Sequence, residues 1–234
     1  MGEDYMASKI LVVEDDWDIN GLLCKILTQN GYETKGAYSG SEAKMCVDQF
    51  EYDLIILDLM LPGISGEELL AEIRKKHLMP VIVASAKTGS MDKINVLKLG
   101  ADDFISKPFD IDEVIARVEA QLRRYTKFST SKESQNKIKH KNLELDTDAR
   151  QVQVKGVDIN LTVREFDILE LLVTNPHKVF TRTNLFESVW HDDFMGDDNT
   201  VNVHISNLRS KLSKVDKDND YIQTVWGIGF KLKE

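Results

Sequence analysis

The sequence predicts an α/β protein in two parts, a doubly wound five-stranded parallel sheet followed by a small α+β domain of winged-helix form. Three observations predict this. Apolar strand-like runs alternate with helix-period segments through the first 124 residues. A polar, basic stretch follows over 125–141. Beyond it, short strands separated by turn residues give way to three helices and a closing hairpin.

The elements of the first part read in order. Ile10–Val13 is an apolar strand, and Ile19, Leu22, Leu23, Ile26 and Leu27 then recur at helical spacing until Asn30-Gly31. Ala43, Cys46, Val47 and Phe50 give a second helix. Leu54–Leu57 is a continuous apolar run, as expected of a buried parallel strand. Leu69, Leu70 and Ile73 mark a third helix, Pro80 opens strand Val81–Ala84, and Ile94 and Leu97 fit a helix that stops near Gly100. Phe104–Ser106 is a short strand, and Val114, Ile115, Val118 and Leu122 make a fifth helix ending at Arg123-Arg124. Five βα units in so short a span imply the doubly wound sheet, whose ligands bind outside the strand carboxyl ends.

Residues 125–141 lack apolar periodicity and read as a flexible basic linker between a domain over 8–124 and one over 142–234. In the second domain Leu143–Leu145, Val152–Val154 and Val157–Ile159 suggest a small antiparallel sheet. Thr162-Val-Arg-Glu165 is a capping box that opens a helix with Phe166, Leu169 and Val173 on one face. A second helix starts near Thr181. A third runs from about Asn199 to Ser213 with Val201, Ile205, Leu208 and Leu212 inward. Tyr221–Val225 and Gly229–Leu232 flank Trp226-Gly227-Ile228 as a hairpin.

Composition narrows the function classes. A chain of 234 residues, 42% hydrophobic and 29% charged, has material for real cores, and whole-chain disorder is excluded. With 13 Gly, 4 Pro and 2 Cys it is neither collagen-like nor a disulfide scaffold. The most apolar run, Leu54–Leu61, is short and broken by Asp58, so no membrane span is expected. Met1-Gly2-Glu3-Asp4 lacks the basic start and apolar core of a signal peptide, and Cys24 and Cys46 read as reduced thiols in apolar helices, which points to the cytoplasm. Charge is unevenly divided: net −8 over 1–124, +4 over 125–141 and −5 over 142–234. An acidic chain is a poor prior for nucleic-acid binding, so any DNA contact must rest on a local surface.

The chemistry gathers at one rim. Glu14-Asp15-Asp16 follows the first strand directly, and Asp58 follows the third. Neighbouring parallel strand ends bring these carboxylates together, where like charges repel and need a cation. An all-oxygen cluster suits Mg²⁺. Asp16 lies just outside the pair and reads better as a helix N-cap. Ser85 ends the fourth strand, and Lys107-Pro108, a candidate cis bond, follows the fifth. An acceptor carboxylate, a divalent cation, an ammonium and a hydroxyl together make a phosphoryl site.

The residues also carry a resemblance. Ile-Leu-Val-Val-Glu-Asp-Asp, Leu-Asp-Leu-Met-Leu-Pro-Gly, Ser-Ala-Lys and Gly-Ala-Asp-Asp-Phe-Ile-Ser-Lys-Pro-Phe resemble the receiver domain of two-component response regulators. Leu-Thr-Val-Arg-Glu-Phe-Asp-Ile-Leu-Glu-Leu-Leu and Thr-Val-Asn-Val-His-Ile-Ser-Asn-Leu-Arg resemble the winged-helix effector of the OmpR/PhoB subfamily. That resemblance implies a phosphorylation-switched transcription regulator of the cytoplasm, not an enzyme beyond its own phosphoryl transfer and loss. It implies that Asp58 is the phospho-acceptor, that Glu14, Asp15, Asp58 and the Met60 carbonyl hold Mg²⁺, and that Lys107 binds the phosphoryl group. Ser85 is then the switch hydroxyl, and Phe104 stands where the family usually has Tyr or Phe.

The implied partners are a sensor histidine kinase, double-stranded DNA as tandem half-sites, a second copy of the chain and RNA polymerase. Lys93, Asp102, Asp103, Glu113 and Arg117 match charges that pair across the subfamily's two-fold interface. Glu119 departs from the basic residue often found there, which leaves Asp102 without its expected partner and the dimer weaker. Asn199, Thr200, Asn202, His204, Ser206, Asn207 and Arg209 on the third helix, with Thr224 and Trp226 on the wing, match the DNA-contacting surface. Thr181 and Trp190 flank it. The best-known members carry Arg where this chain has Asn199, Ser206, Asn207 and Trp226. The remaining phosphate contacts expected are Arg209, Lys211, Lys214, Lys231 and Lys233, so affinity and salt dependence are expected to be low. Two other readings stand beside this one. A regulator independent of phosphorylation is disfavoured by the complete set Glu14, Asp15, Asp58, Ser85 and Lys107. An aspartyl-phosphate phosphatase starting at Asp16-Trp-Asp18 is disfavoured by Ile19 and by an unexplained Asp58.

Overall fold

The computed structural model describes residues 7–86, 89–126, 137–190 and 199–234. The chain divides into two compact units, Met1–Tyr125 and Thr126–Glu234.

In the first unit strands and helices alternate as β1 (Lys9–Val13), α1 (Trp17–Gln29), β2 (Glu33–Ala37), α2 (Gly40–Gln49), β3 (Leu54–Leu57), α3 (Gly66–Arg74), β4 (Val81–Ser85), α4 (Ser90–Leu99), β5 (Asp103–Ser106) and α5 (Ile111–Thr126). The sheet order is β2-β1-β3-β4-β5 with every pairing parallel. Strand side chains alternate between faces. Ile10, Val12, Leu54, Ile56, Ile82 and Ile105 pack with Leu23 and Leu27 of α1 and with Val114, Val118 and Leu122 of α5. The alternate residues Leu11, Ile55, Leu57 and Val83 are equally buried, so both faces of the sheet are covered.

One strand was not located by apolar pattern. β2, Glu-Thr-Lys-Gly-Ala, is the sheet's edge strand, and only Ala37 of it is buried. An edge strand needs no apolar run, and charge along it discourages pairing with other chains. It is stitched to β1 by Asn20, a fully buried side chain of α1. The Asn20 amide donates to the carbonyls of Val12 (3.3 Å), Glu14 (3.0 Å) and Ala37 (3.1 Å). Gly36 faces this amide, where a Cβ would lie 2.4 Å from Asn20 Oδ1.

The second unit opens with an antiparallel sheet of β6 (Lys137–His140), β7 (Leu143–Asp146), β8 (Gln151–Val154) and β9 (Val157–Asp158). It continues through α6 (Val163–Thr174), β10 (Phe180–Thr181), α7 (Arg182–Trp190), α8 (Asn199–Val215) and the hairpin β11 (Ile222–Val225) and β12 (Gly229–Leu232), with β12 between β10 and β11. The capping box forms as expected: Thr162 accepts from the Glu165 N–H, and Glu165 from the Thr162 N–H. One core joins the four-stranded sheet, α6, α7, α8 and the hairpin, with Phe166, Leu169, Leu172, Leu185, Ile205, Leu208 and Phe230 among its members.

The expected linker over 125–141 is corrected at both ends. α5 runs to Thr126, and Lys137–His140 is a strand. Ile138 and His140 of that strand are half-buried while Lys137 and Lys139 are exposed, an alternation too short and too basic to stand out in sequence. The middle of the expected linker, 127–136, lies outside the described residues.

Candidate functional site

Register builds the first site. Val13 pairs with Leu57, so Glu14 and Asp58 leave adjacent strands side by side, and the Asp58 N–H donates to the Val13 carbonyl at 2.9 Å. Ser85 pairs with Ser106, which brings Lys107 to the same rim. Glu14 and Asp58 are 2% and 4% exposed, and Asp15 is exposed. Carboxylate oxygens of Glu14, Asp15 and Asp58 all lie within 4.8 Å of one another. Lys107 Nζ donates at 2.6 Å to Glu14 Oε2 and at 2.6 Å to Asp58 Oδ2. The Met60 N–H donates to the other Asp58 oxygen at 3.0 Å. Ser85 is fully buried at the end of β4. The Lys107–Pro108 bond is cis, as anticipated.

Electrostatics follow from that crowding. Burial holds the Glu14 carboxyl above its ordinary value, against the pull of Lys107 and with help from Asp58 and Asp15. Burial alone lowers the Lys107 ammonium, but its hydrogen bonds to Asp58 and Glu14 outweigh this and raise it. One lysine therefore serves two buried carboxylates with a third beside them. Such a set of hard oxygen donors fits a divalent cation. Asp16 is outside the set: its side chain accepts from the N–H groups of Asp18 (2.9 Å) and Ile19 (3.1 Å) and caps α1. Two features of the rim went unread in sequence, Asn20 and a Trp17–Tyr38 stack with ring centroids 3.9 Å apart. A polar residue on the apolar face of α1 was the available signal for Asn20.

Four of the five expected charges lie on the α4–β5–α5 side, with Asp103 buried under Arg117. Arg117 donates to both Asp103 oxygens (3.1 and 3.2 Å) and to Glu113 (3.0 Å). Burial lowers the Arg117 guanidinium, and Asp103 and Glu113 more than restore it. Lys93 Nζ sits 5.5 Å from the centre of the Phe104 ring, which is half-buried. Asp102 is the exception. It is fully buried and faces α3, not that side. Its Oδ2 accepts from Arg74 at 2.7 Å and from the Val81 N–H at 2.9 Å, while Arg74 also donates to the carbonyls of Gly100 (2.7 Å) and Met79 (2.8 Å). Asp102 thus holds the end of α3 to the turn before β5.

In the second unit α8 exposes Asn199 and Ser206, and Thr200, Asn202 and Asn207 in part. Three expectations are corrected here. His204 is 1% exposed, its ring 5.3 Å from that of Trp190, so it is a core residue and not part of the DNA-contacting surface. Trp190 is itself 3% exposed and stacks on Phe186, which removes it from the flank. Arg209 is turned onto the hairpin: it donates to the Ile222 carbonyl (2.9 Å) and to Thr224 Oγ1 (2.9 Å). Burial lowers this guanidinium, with Asp220 opposing. Lys211 donates to buried Glu165 at 2.6 Å, and Lys233 to Asp220 at 2.8 Å. Of the five cations expected on phosphates, Lys214 and Lys231 have no ion-pair partner among the described residues.

Comparison with known proteins decides the family. Residues 10–119 match the response regulator receiver domain, and residues 156–232 match the family described as transcriptional regulatory protein, C terminal. Over 231 residues the chain is 41% identical to the regulatory protein VanR of Enterococcus faecium, covering 98% of this chain and all of that one. The chain belongs to the OmpR/PhoB response regulators. A Bacillus subtilis transcriptional regulatory protein, YcbL, is 40% identical across 96% of this regulator and the whole of its own length. Among solved structures, a RitR mutant aligns over 97% of the regulator with a TM-score of 0.76 and 28% identity. The Thermotoga maritima OmpR/PhoB homologue DrrB aligns over 98% with a TM-score of 0.51 and 29% identity. This response regulator is a phosphorylation-dependent, DNA-binding transcription regulator, and its two domains imply a histidine kinase and DNA as partners. No helix among its described residues is long and apolar enough to cross a membrane.

Proposed function

We propose that Asp58 is the phospho-acceptor and that Glu14, Asp15, Asp58 and the Met60 carbonyl hold Mg²⁺. The observation that carries this is Lys107 Nζ lying 2.6 Å from both Glu14 and Asp58 within a cluster of three carboxylates. Asp58 attacks the phosphorus of a kinase phosphohistidine, its O–P bond forming as the N–P bond breaks. Lys107 passes from the Asp58 carboxylate to the oxygens of the incoming phosphoryl group, where a preorganised cation stabilises developing charge. Mg²⁺ held by those residues would supply further neutralisation of the phosphoryl oxygens. Ser85, buried at the adjacent strand end, is the hydroxyl drawn to the phosphoryl group, and Phe104 reports the change by packing.

The phosphorylated form dimerises in the cytoplasm through Lys93, Asp103, Glu113 and Arg117, and the dimer occupies tandem half-sites through Asn199, Thr200, Asn202, Ser206 and Asn207 of α8. The test is labelling with acetyl phosphate, read by intact mass. Wild type takes up one phosphoryl group and needs Mg²⁺; Asp58→Asn takes up none. Full labelling of Asp58→Asn, or labelling indifferent to Mg²⁺, sinks the assignment.

A further inference from the structure

Among the described residues Lys93 makes no ion pair, while Asp103 and Glu113 are both held by Arg117. Its ammonium stands instead over the Phe104 ring, 5.5 Å from the centre. Both side chains are half-buried. An ammonium within about 6 Å of a ring centre is drawn to the negative face of the ring, and more strongly as water is displaced. Register shows what the ring stands beside. Val83 pairs with Phe104, and Ser85 with Ser106. Ile82, Ala84 and Ile105 turn to the face covered by α1 and α5, so Val83, Ser85 and Phe104 share the opposite face. Phe104 therefore lies one strand over and two residues back from the buried Ser85. A phenyl ring has no hydroxyl to fix its position by a hydrogen bond, and the cation over it is what the structure sets against its face.

We propose that Lys93 is a positioning residue for phosphoryl transfer to Asp58: its ammonium holds Phe104 where it now stands, and the ring must leave the cation before it turns in behind Ser85. This rests on the reading of Asp58 as the acceptor and of Phe104 as the ring that follows Ser85. A contact made in the resting receiver and broken in the phosphorylated one stabilises the resting receiver by its full strength, because only the difference between two states shifts their balance. Lys93 thus opposes phosphorylation of a single copy of the chain. The opposition comes from charge and ring together, since neither an apolar chain over the ring nor a cation over an alkyl group supplies it. Once the ring has turned, the ammonium is released toward the face through which two copies meet.

The experiment labels the full-length regulator with acetyl phosphate and Mg²⁺ and follows the rate by intact mass, at a concentration where the protein is monomeric. Lys93→Met keeps the reach of the side chain and drops its charge. It should label about two- to fivefold faster than wild type, as expected for the loss of one partly exposed contact of this kind. Removing a positive charge would by itself slow an anionic donor, so a faster rate has no general electrostatic origin. Lys93→Arg, which keeps a cation on the ring, should restore the wild-type rate. In a Phe104→Leu background Lys93→Met should bring no acceleration, a comparison that isolates the pair. Equal effects of Lys93→Met with and without the ring, or a slowing where the ring is present, overturn the inference and leave the Asp58 reading standing. Full labelling of Asp58→Asn overturns the acceptor reading, and the inference with it.

Discussion

Glu14 and Glu165 are both carboxylates almost wholly removed from solvent, and each accepts from a lysine at 2.6 Å. Their surroundings differ. Lys107 divides itself between Glu14 and Asp58, with Asp15 a few ångströms away, and Glu14 is held above its ordinary value. Among the described residues Lys211 serves Glu165 alone, and Glu165 also closes the capping box of α6. The first arrangement leaves negative charge uncompensated at a rim; the second is neutral and ties α8 to the start of α6. Surplus charge held by the fold marks a place where a cation or a phosphoryl group completes the site. Matched charge marks architecture, and Arg74 with Asp102 is an enclosed example.

Breaking a matched pair should be expensive, and breaking the surplus should not. The largest effect is expected from Arg74→Ala. It removes the charged partner of a fully buried Asp102, which keeps the Val81 N–H, and should cost the receiver about 3–5 kcal/mol, a fall in melting temperature of roughly 10–20 °C. Differential scanning calorimetry checks it, and a fall of only a few degrees would show that Asp102 finds other donors. Lys211→Ala removes a side chain that is 32% exposed, and Glu165 keeps its bond from the Thr162 N–H, so about 1–2 kcal/mol is expected. Adding Glu165→Gln, which can preserve the cap without the charge, should recover most of that loss.

The same distinction predicts which cations a DNA duplex should meet. Lys231→Ala should flatten the slope of log affinity against log salt by about 0.9, measured by fluorescence anisotropy. Arg209→Ala should lower affinity at every salt concentration, because the wing loses its anchor, with a smaller change in slope. Equal slope changes would place Arg209 on a phosphate after all.

Legibility differed between the two units for the same physical reason. The acid pocket could be read because every member sits at a strand end, and strand ends of a parallel sheet converge whatever surrounds them. β1, β3 and β4 announce themselves by buried apolar runs; β2 does not, since it lies at the edge and is held by Asn20 from another element. β10 has two residues and β6 one substantial apolar side chain, too little for any pattern. In α8 the apolar spacing found Val201, Ile205, Leu208 and Leu212 but not the burial of His204, which depends on Trp190 of α7. Asp102 and Asp103 are adjacent, chemically identical and both buried, and only the positions of Arg74 and Arg117 separate one that faces α3 from one that faces α5. Arg209 likewise looked free until the hairpin was seen to lie under it.

The smallest expected effect has the opposite sign. Glu14 has its folded value raised above the ordinary 4.5, so the folded receiver gains relative stability as pH falls from above that raised value toward 4.5. Glu14→Gln should be no less stable than wild type at neutral pH and should lack that gain, as urea titrations across this range would show. A Glu14→Gln protein markedly less stable at neutral pH would mean that Glu14 is matched rather than surplus.

The Trp17–Tyr38 stack has an optical consequence. Trp17 follows Asp15 by two residues, and Tyr38 follows Ala37, whose carbonyl accepts from the Glu14 N–H at 3.0 Å. A change of charge at the acid rim is therefore felt by an indole that is 71% exposed and pressed against a phenol ring. Trp226 stands more open still at the hairpin tip, while Trp190 is enclosed. The polypeptide carries an intrinsic fluorophore at each of its working surfaces and a shielded one as reference. With Trp226→Phe, emission follows events at the acid rim; with Trp17→Phe, it follows the wing, and no dye need be attached.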